Sequence, residues 1–191
     1  MVEEIKREAE KNNIPIMTDD GIEYLTNYIK ENNIKKILEI GTAVGYSAIK
    51  MALVSNDIEI TTIERDEKRY LEAIKNIKKL KLQDRITILF KDALDVSISD
   101  KYDLIFIDAA KAQSINFFEK FEKNLKEHGT ILTDNMNFHG LVDKPLNEIS
   151  SRNVRGLVRK INNYHDFLVE NDNYITQFLD VGDGIALSVK R

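Results

Sequence analysis

Short apolar runs alternate with amphipathic stretches along most of the chain. The runs of strand length are Lys36–Ile40, Glu59–Ile63, Ile86–Phe90, Tyr102–Ile107 and Thr130–Thr133. The stretches between them that have helical spacing are Tyr46–Ser55, Asp66–Lys81 and Ile115–Lys126. Short buried strands that alternate with helices are typical of parallel sheets covered on both faces. The pattern therefore predicts a doubly wound α/β fold.

The two ends of the chain add helices and a hairpin. The further predicted helices are Met1–Glu10, Asp19–Glu31, with Thr18 or Asp19 as its N-cap, and most of Pro145–Glu170. Tyr174–Asp180 and Ile185–Lys190 flank the turn-rich residues 181–184, which indicates an antiparallel hairpin. The sheet is therefore expected to have seven strands, mostly parallel, with the hairpin at its C-terminal end.

Composition and charge narrow the class of protein. The chain has 191 residues, of which 42% are hydrophobic and 31% charged, and no low-complexity linker, so a single domain over residues 1–191 is predicted. The absence of cysteine excludes disulfides, thiolate metal sites and cysteine nucleophiles. A net charge of -4 argues against a generally basic nucleic-acid-binding surface, although a local basic patch remains compatible with it. No apolar segment of membrane-spanning length and no signal peptide is evident, so a cytoplasmic protein without a membrane partner is expected.

Acidic residues stand at the end of each of the first five predicted strands. They are Glu39, Glu64, Asp92, Asp108 and Asp134, the last followed by Asn135. Ligands of open α/β sheets bind at the carboxyl ends of the strands. One such carboxylate alone is as well explained as a helix cap or turn residue, but all of them together predict a polar pocket.

The first strand runs into a glycine loop. Gly41 and Gly45 have the spacing G-x-x-x-G, which differs from the G-x-G-x-x-G of dinucleotide sites and disfavours a dehydrogenase. A loop of this form suits a nucleoside without phosphates. Glu64 is then placed to accept hydrogen bonds from ribose hydroxyls, and Asp92 from an adenine amino group.

Several of these stretches together resemble the metal-dependent O-methyltransferases that act on catechols and caffeoyl-coenzyme A. The matching stretches are Pro15–Met17, Ile37–Ser47, Thr62–Glu64, Lys91–Ala93, Phe106–Lys111, Thr133–Asn135 and Val181–Ser188. Within the family, the chain is most similar to bacterial members that include the tRNA 5-hydroxyuridine methyltransferases. The N-terminal helical region is shorter than is usual in the family, so the oligomeric state is left open, with a homodimer as one alternative.

The resemblance implies a role for each matching residue. S-adenosylmethionine would be bound by Met17, Glu39, Gly41, Thr42, Gly45, Tyr46, Ser47, Glu64, Asp92, Ala93 and Asp108. Asp108, Asp134 and Asn135 would be the protein ligands of a divalent metal. Lys111 would be the catalytic lysine, acting with Asp108.

A set of two carboxylates and one amide oxygen suits Mg²⁺ or another hard divalent cation. Such an ion polarises a substrate hydroxyl and fixes its position. Catechols and 5-hydroxyuridine both present two neighbouring oxygens, so a metal could chelate and align either substrate in the same way. Lys111 is then a general base or a stabiliser of the substrate oxyanion.

The expected substrate depends on a basic helix. Arg152, Arg155 and Arg159 share one face of the predicted C-terminal helix, with Lys144 nearby, and are either a solvated surface or a grip on tRNA phosphates. The first hypothesis is methylation of 5-hydroxyuridine at the tRNA wobble position, to give 5-methoxyuridine. The alternatives are a small catechol-like or phenolic substrate and a non-catalytic nucleoside-binding protein. Of the histidines, His128 is expected in the turn before the fifth strand, His165 in a helix, and His139 in a loop beside the substrate or in solvent.

Overall fold

The computed structural model describes residues Met1–Arg191, and it contains six α-helices and one seven-stranded sheet. The helices are α1 (Val2–Lys11), α2 (Asp19–Glu31), α3 (Tyr46–Ala52), α4 (Glu67–Lys79), α5 (Ser114–Phe121) and α6 (Arg152–Glu170). The strands are β1 (Lys36–Ile40), β2 (Glu59–Glu64), β3 (Ile86–Phe90), β4 (Tyr102–Ile107), β5 (Leu125–Asp134), β6 (Tyr174–Leu179) and β7 (Ile185–Lys190).

The strand order across the sheet is β3-β2-β1-β4-β5-β7-β6. Strands β1 to β5 are parallel, and β7 is antiparallel to both of its neighbours. The chain therefore has the predicted doubly wound, mostly parallel sheet with an antiparallel hairpin at its end. The reversal of strand order lies between β1 and β4, which is where such sheets bind ligands.

Alternate residues of each strand point to opposite faces, and each face has its own core. Ile37 and Leu104 join the core beneath α1 to α4, where Leu25 and Ile49 are fully buried. The neighbouring strand residues face the other core, which α5 and α6 cover with Phe118 among its largest buried side chains. Burial on both faces explains why the first strands read as continuous apolar runs.

Strand β5 differs most from the sequence prediction. It begins at Leu125, inside the helix predicted for Ile115–Lys126, because Leu125 pairs with Tyr102 of β4. A register shift separates this pair from the pairing of Leu104 with Thr130. His128 lies within this irregular part with a φ of 56°, so its predicted place in a turn before the strand is wrong. His165 lies in α6 as predicted.

The N-cap of α2 is Thr18, whose hydroxyl accepts a hydrogen bond from the Gly21 N–H. Gly182, in the turn between β6 and β7, packs directly on this cap at a φ of +60°, and a Cβ there would lie 2.3 Å from the Thr18 Oγ1. The hairpin turn therefore closes against the helix that follows Pro15–Met17.

None of the six helices combines the length and the apolar character that a membrane span requires.

Candidate active site

A cavity of about 310 Å³ opens at the carboxyl ends of the central strands. The sequence-predicted residues that line it are Gly41, Glu64, Asp92, Ala93, Asp108, Lys111 and Asn135. They come from the ends of different strands and meet because parallel strands share one carboxyl edge. Asp134 adjoins the same cavity through a hydrogen bond from Asn135.

The glycine loop forms one wall of the cavity. Gly41 has a φ of +102°, and a Cβ there would lie 2.2 Å from the Asp108 carbonyl oxygen, so only glycine allows β1 and β4 to approach this closely. Gly45 has a φ of +82° and is the N-cap residue of α3. Between them, the Ala43 N–H donates to Glu64 at 2.8 Å, which ties the loop to the end of β2.

Glu64 and Asp92 are held by backbone donors. Glu64 also accepts hydrogen bonds from the N–H groups of Arg65 (2.9 Å) and Asp66 (2.8 Å). One oxygen of Asp92 accepts from the Leu94 N–H at 3.0 Å, and the other pairs with the Arg65 guanidinium at 3.0 Å. The Leu94 N–H, followed by Arg65, holds the pKa of Asp92 below its usual value. Both side chains are therefore fixed hydrogen-bond acceptors at the end of the cavity nearest β2 and β3, where the sequence resemblance predicts the nucleoside.

Glu39 lies beneath the glycine loop with no exposed surface. Its carboxylate accepts hydrogen bonds from the Ser47 and Thr62 hydroxyls, each at 2.5 Å, and Thr62 also hydrogen bonds to Thr42 at 2.6 Å. Burial raises the pKa of Glu39 to about 7, against the opposing effect of the two hydroxyl donors. This hydrogen-bond network connects β1, β2, α3 and the glycine loop through residues that do not line the cavity.

Six residues predicted to touch the cofactor do not line the cavity in this conformation. They are Met17, Glu39, Thr42, Gly45, Tyr46 and Ser47. Met17 packs against Gly21 of α2, and Tyr46 joins the core beneath the sheet. All of these residues support the loop or the adjoining wall, and their contact with the cofactor stays a prediction.

The three predicted metal ligands lie together. The Asn135 amide nitrogen is 3.2 Å from Asp108 Oδ1 and 2.9 Å from Asp134 Oδ2, so it bridges the two carboxylates. Asn135 adopts a left-handed backbone conformation with a φ of 65°, which turns its side chain back toward them. Burial raises the pKa of Asp108, and burial followed by the charge of Asp108 raises the pKa of Asp134. The ionised forms of both side chains are therefore less favourable here than in water.

The positive charge of Lys111 acts on both carboxylates, because it lowers the pKa of Asp108 and of Asp134 against the larger effect of burial. Lys111 lies on the turn after β4, and its Nζ is 6.0 Å from the centre of the Phe138 ring. The hairpin turn holds the loop that follows β5. Asp183 of the turn accepts a hydrogen bond from the N–H of His139 in this loop at 2.5 Å. The His139 side chain is 77% exposed and is not among the residues that line the cavity.

The basic helix is only partly available for binding. Arg152 and Arg159 of α6 and Lys144 of the preceding loop are exposed. Arg155 instead folds back, and its guanidinium donates to the carbonyl oxygens of Ile149 (2.5 Å) and Ser150 (3.1 Å). It anchors the loop before α6, which the spacing of the arginines along the helix did not reveal.

Sequence reasoning missed several residues that line the cavity. Arg65, Arg69 and Lys91 add positive charge at its end nearest β2 and β3, and Phe117 adds an apolar surface. Arg65 and Lys91 directly adjoin Glu64 and Asp92 in sequence, so the strand-end acids were the signal that could have found them. Nothing local marks Arg69 or Phe117, because they reach the cavity from α4 and α5 through tertiary packing.

Comparison with known proteins identifies the family. The family model described as O-methyltransferase matches residues 1–191, so the chain belongs to the O-methyltransferase family. A crystal structure from Staphylococcus aureus, provisionally described as a caffeoyl-CoA O-methyltransferase, is 40% identical, with a TM-score of 0.96 over 100% of this chain and 92% of that chain. An O-methyltransferase from Bacillus cereus in complex with S-adenosylhomocysteine is 25% identical, with a TM-score of 0.85 over 100% of this chain and 90% of that chain.

A curated relative supports the same assignment. The caffeoyl-CoA O-methyltransferase of Populus kitakamiensis is 26% identical over 190 residues, which cover 95% of this chain and 80% of that protein. The chain is therefore an S-adenosylmethionine-dependent O-methyltransferase, as the sequence resemblance predicted.

Proposed function

We propose that the protein methylates the 5-hydroxyl of 5-hydroxyuridine at the wobble position of tRNA, using a divalent cation held by Asp108, Asp134 and Asn135. The observation that carries the choice of RNA is the position of α6. This helix passes beside the turn Lys111–Gln113, and it exposes Arg152 and Arg159. Two unpaired guanidinium groups on the substrate side of the reacting centre suit a polyanionic substrate better than a small neutral phenol.

The donor set fits a hard divalent cation. No group of three His, Cys, Asp or Glu side chains is arranged to hold an ion, so a cation here requires the Asn135 amide as its third protein ligand. Rotating this amide by half a turn would direct its oxygen toward the point that its nitrogen now occupies between the two carboxylates. A cation held by this oxygen and the two carboxylates would offset the repulsion between half-buried Asp108 and buried Asp134. When bound, such an ion lowers the pKa of a substrate hydroxyl and fixes its direction.

The chain's own residues divide the remaining tasks. Glu64 offers a fixed acceptor to ribose hydroxyls and Asp92 to the adenine amino group, while the backbone N–H of Ala93 is available to the adenine ring. Asp108 adjoins both the cation ligands and the Gly41 wall, so it would orient the methionine end of the cofactor. Lys111 accepts the proton of the substrate hydroxyl or stabilises the oxyanion that remains.

A small catechol-like or phenolic substrate is the second candidate, favoured by a different observation. Relatives such as the Populus kitakamiensis protein are named for caffeoyl-CoA, whose phenolic ring has adjacent oxygens. The same three ligands and Lys111 would serve such a substrate. The two candidates therefore differ in what lies around the cavity and not in its chemistry.

The deciding experiment supplies methyl-labelled S-adenosylmethionine and Mg²⁺ with hydroxyuridine-containing tRNA or, separately, with a panel of catechols. We expect label in tRNA, with a rate that falls steeply with salt because phosphate contacts release counterions. Catechol methylation should respond little to salt. Label in catechols alone, or full activity toward tRNA in excess chelator, would reject the corresponding part of the proposal.

A further inference from the structure

Positive and aromatic side chains gather at the end of the cavity nearest β2 and β3. Arg65, Arg69 and Lys91 line this end together with Glu64 and Asp92. The cofactor has no phosphate and carries a net positive charge from its sulfonium and ammonium groups. Its binding therefore gives no reason for three cations at this position. The arrangement suits an additional anion instead.

Two of the three cations are not neutralised by an ion pair. Arg65 pairs with Asp92 at 3.0 Å, but no carboxylate oxygen lies within 4.0 Å of the side-chain nitrogens of Arg69 or Lys91. Asp66 interacts with Arg69 chiefly through the backbone, because the Arg69 N–H lowers the pKa of Asp66 more than the guanidinium charge does. Arg69 also stands in the first turn of α4, where the helix dipole disfavours a positive charge. The stability of α4 therefore does not explain this arginine.

Each of the two unpaired cations is next in sequence to one member of an aromatic pair. The rings of Tyr70 and Phe90 stack with their centres 4.8 Å apart and their planes at 26°. Tyr70 directly follows Arg69 on α4, and Phe90 directly precedes Lys91 at the end of β3. Phe90 remains 46% exposed, and β3 is the last strand at this side of the sheet. An exposed aromatic face beside cations is the arrangement with which proteins bind single-stranded nucleic acids.

We propose that Arg69, Tyr70, Phe90 and Lys91, here named the β3-edge surface, bind the single-stranded RNA that flanks the methylated nucleotide on the side toward β3. Arg69 and Lys91 hold backbone phosphates, and one base stacks on the exposed face of Phe90. This inference rests on the RNA substrate proposed above. In the strand order, the β3-edge surface and the α6 arginines lie toward opposite ends of the carboxyl edge, so the RNA is held on both sides of the cavity.

The test measures binding directly, without turnover. An anticodon stem–loop RNA with unmodified uridine is titrated by fluorescence anisotropy across a range of KCl concentrations, with S-adenosylhomocysteine present. The variants are Arg69→Gln with Lys91→Gln, Phe90→Ala alone, and a matched control, Lys30→Gln with Lys78→Gln. The control residues are exposed, lie in the last turns of α2 and α4, and do not line the cavity. Thermal unfolding of each variant identifies any that fails to fold.

We expect the Arg69 and Lys91 double variant to reduce the slope of log Kd against log salt by about 1.4, from two contacts at about 0.7 each. Phe90→Ala should weaken binding about tenfold with little change in that slope, because stacking is lost and no phosphate contact is. The control should match the wild type. If the Arg69 and Lys91 variant has the same slope and affinity as the control while folded, the inference is wrong.

The outcome separates this inference from the proposed function. If wild-type protein methylates hydroxyuridine-containing tRNA but the β3-edge variants bind the stem–loop normally, only the inference fails. If the wild type neither binds nor methylates RNA, both fail. A parallel titration with coenzyme A tests a small phosphorylated ligand at the same cations. Loss of coenzyme A binding in the Arg69 and Lys91 variant, without any binding of RNA, would assign the surface to that ligand and overturn the inference.

Discussion

The two ends of the cavity hold the same kind of side chain in opposite conditions. At the β2 and β3 end, Glu64 and Asp92 accept backbone N–H groups, and the pKa of Asp92 is lowered. At the β4 and β5 end, half-buried Asp108 and buried Asp134 share one amide, and the pKa of each is raised. The first pair has its backbone donors already in place, whereas the second pair has the arrangement on which the proposed cation site rests. Burial and hydrogen-bond supply, rather than residue type, distinguish these two pairs of carboxylates.

The strongest test of this contrast removes one member of the acidic pair. Asp134→Ala should reduce methyl transfer by at least about a thousandfold, because a bound metal supplies several kcal/mol of charge stabilisation. Affinity for S-adenosylhomocysteine should stay within several-fold of wild type, as measured by calorimetry. A folded variant that no longer binds the cofactor would mean that the two ends do not act separately.

The converse change concerns Glu64. Glu64→Gln should weaken S-adenosylhomocysteine binding by roughly 10- to 100-fold, because one of the two oxygens that accept from three backbone N–H groups is replaced by an amide nitrogen that cannot accept. The turnover number at saturating cofactor should change much less. Calorimetry gives the affinity and single-turnover transfer gives the rate. A Glu64→Gln enzyme with normal affinity and a lost rate would reverse the roles assigned to the two ends.

Outside the cavity, the α6 arginines should affect one substrate class only. Neutralising Arg152 and Arg159 should raise the KM for tRNA about tenfold at moderate salt, since two phosphate contacts are lost. Arg155→Gln is a contrasting variant, because its guanidinium anchors the loop before α6 and its loss should also lower thermal stability. Equal effects of the Arg152 and Arg159 change on tRNA and catechol kinetics would contradict a phosphate-binding role.

The smallest expected effect is a pH dependence of stability that originates at Glu39. Its folded pKa, about 7, lies above its ordinary value of 4.5, so the stability linked to its protonation is fully present below pH 4.5 and is lost as pH rises through 7. Wild-type protein in excess chelator should therefore unfold a few degrees lower at pH 8 than at pH 5.5.

Glu39→Gln should remove part of this difference, whereas Mg²⁺ should remove only the part that comes from Asp108 and Asp134. Calorimetric unfolding across this pH range measures both. A wild-type profile that is flat in chelator would show that the burial of these carboxylates costs no stability.

Much of the fold followed from the local pattern, because the fully buried strands impose continuous apolar runs. The bounds of β1, β3, β4 and β7 agree with those predicted. The start of β5 could not be found in this way, since it depends on a pairing between Leu125 and Tyr102 across a register shift. The convergence of strand-end acids was likewise predictable, because parallel strands share one edge.

The residues that each side chain contacts could not be predicted from the sequence. The carbonyl oxygens that hold Arg155 belong to a loop whose course no pattern specifies. Tyr70 lies on α4 and Phe90 at the end of β3, and only the packing of α4 against β3 brings their rings together. Likewise, the sequence does not distinguish Glu39 from the other acidic residues at strand ends. In the structure, its carboxylate lies beneath the glycine loop and accepts hydrogen bonds from two hydroxyl groups.

The position of β7 makes Asp134 depend on the last strand of the chain. This strand is inserted between β5 and β6, and it pairs Ile185 with Asp134. Without the C-terminal hairpin, β5 would be an edge strand paired only with β4. The carboxylate of Asp134 would then lose one of the two strands that fix its backbone, although it lies far from the hairpin in sequence.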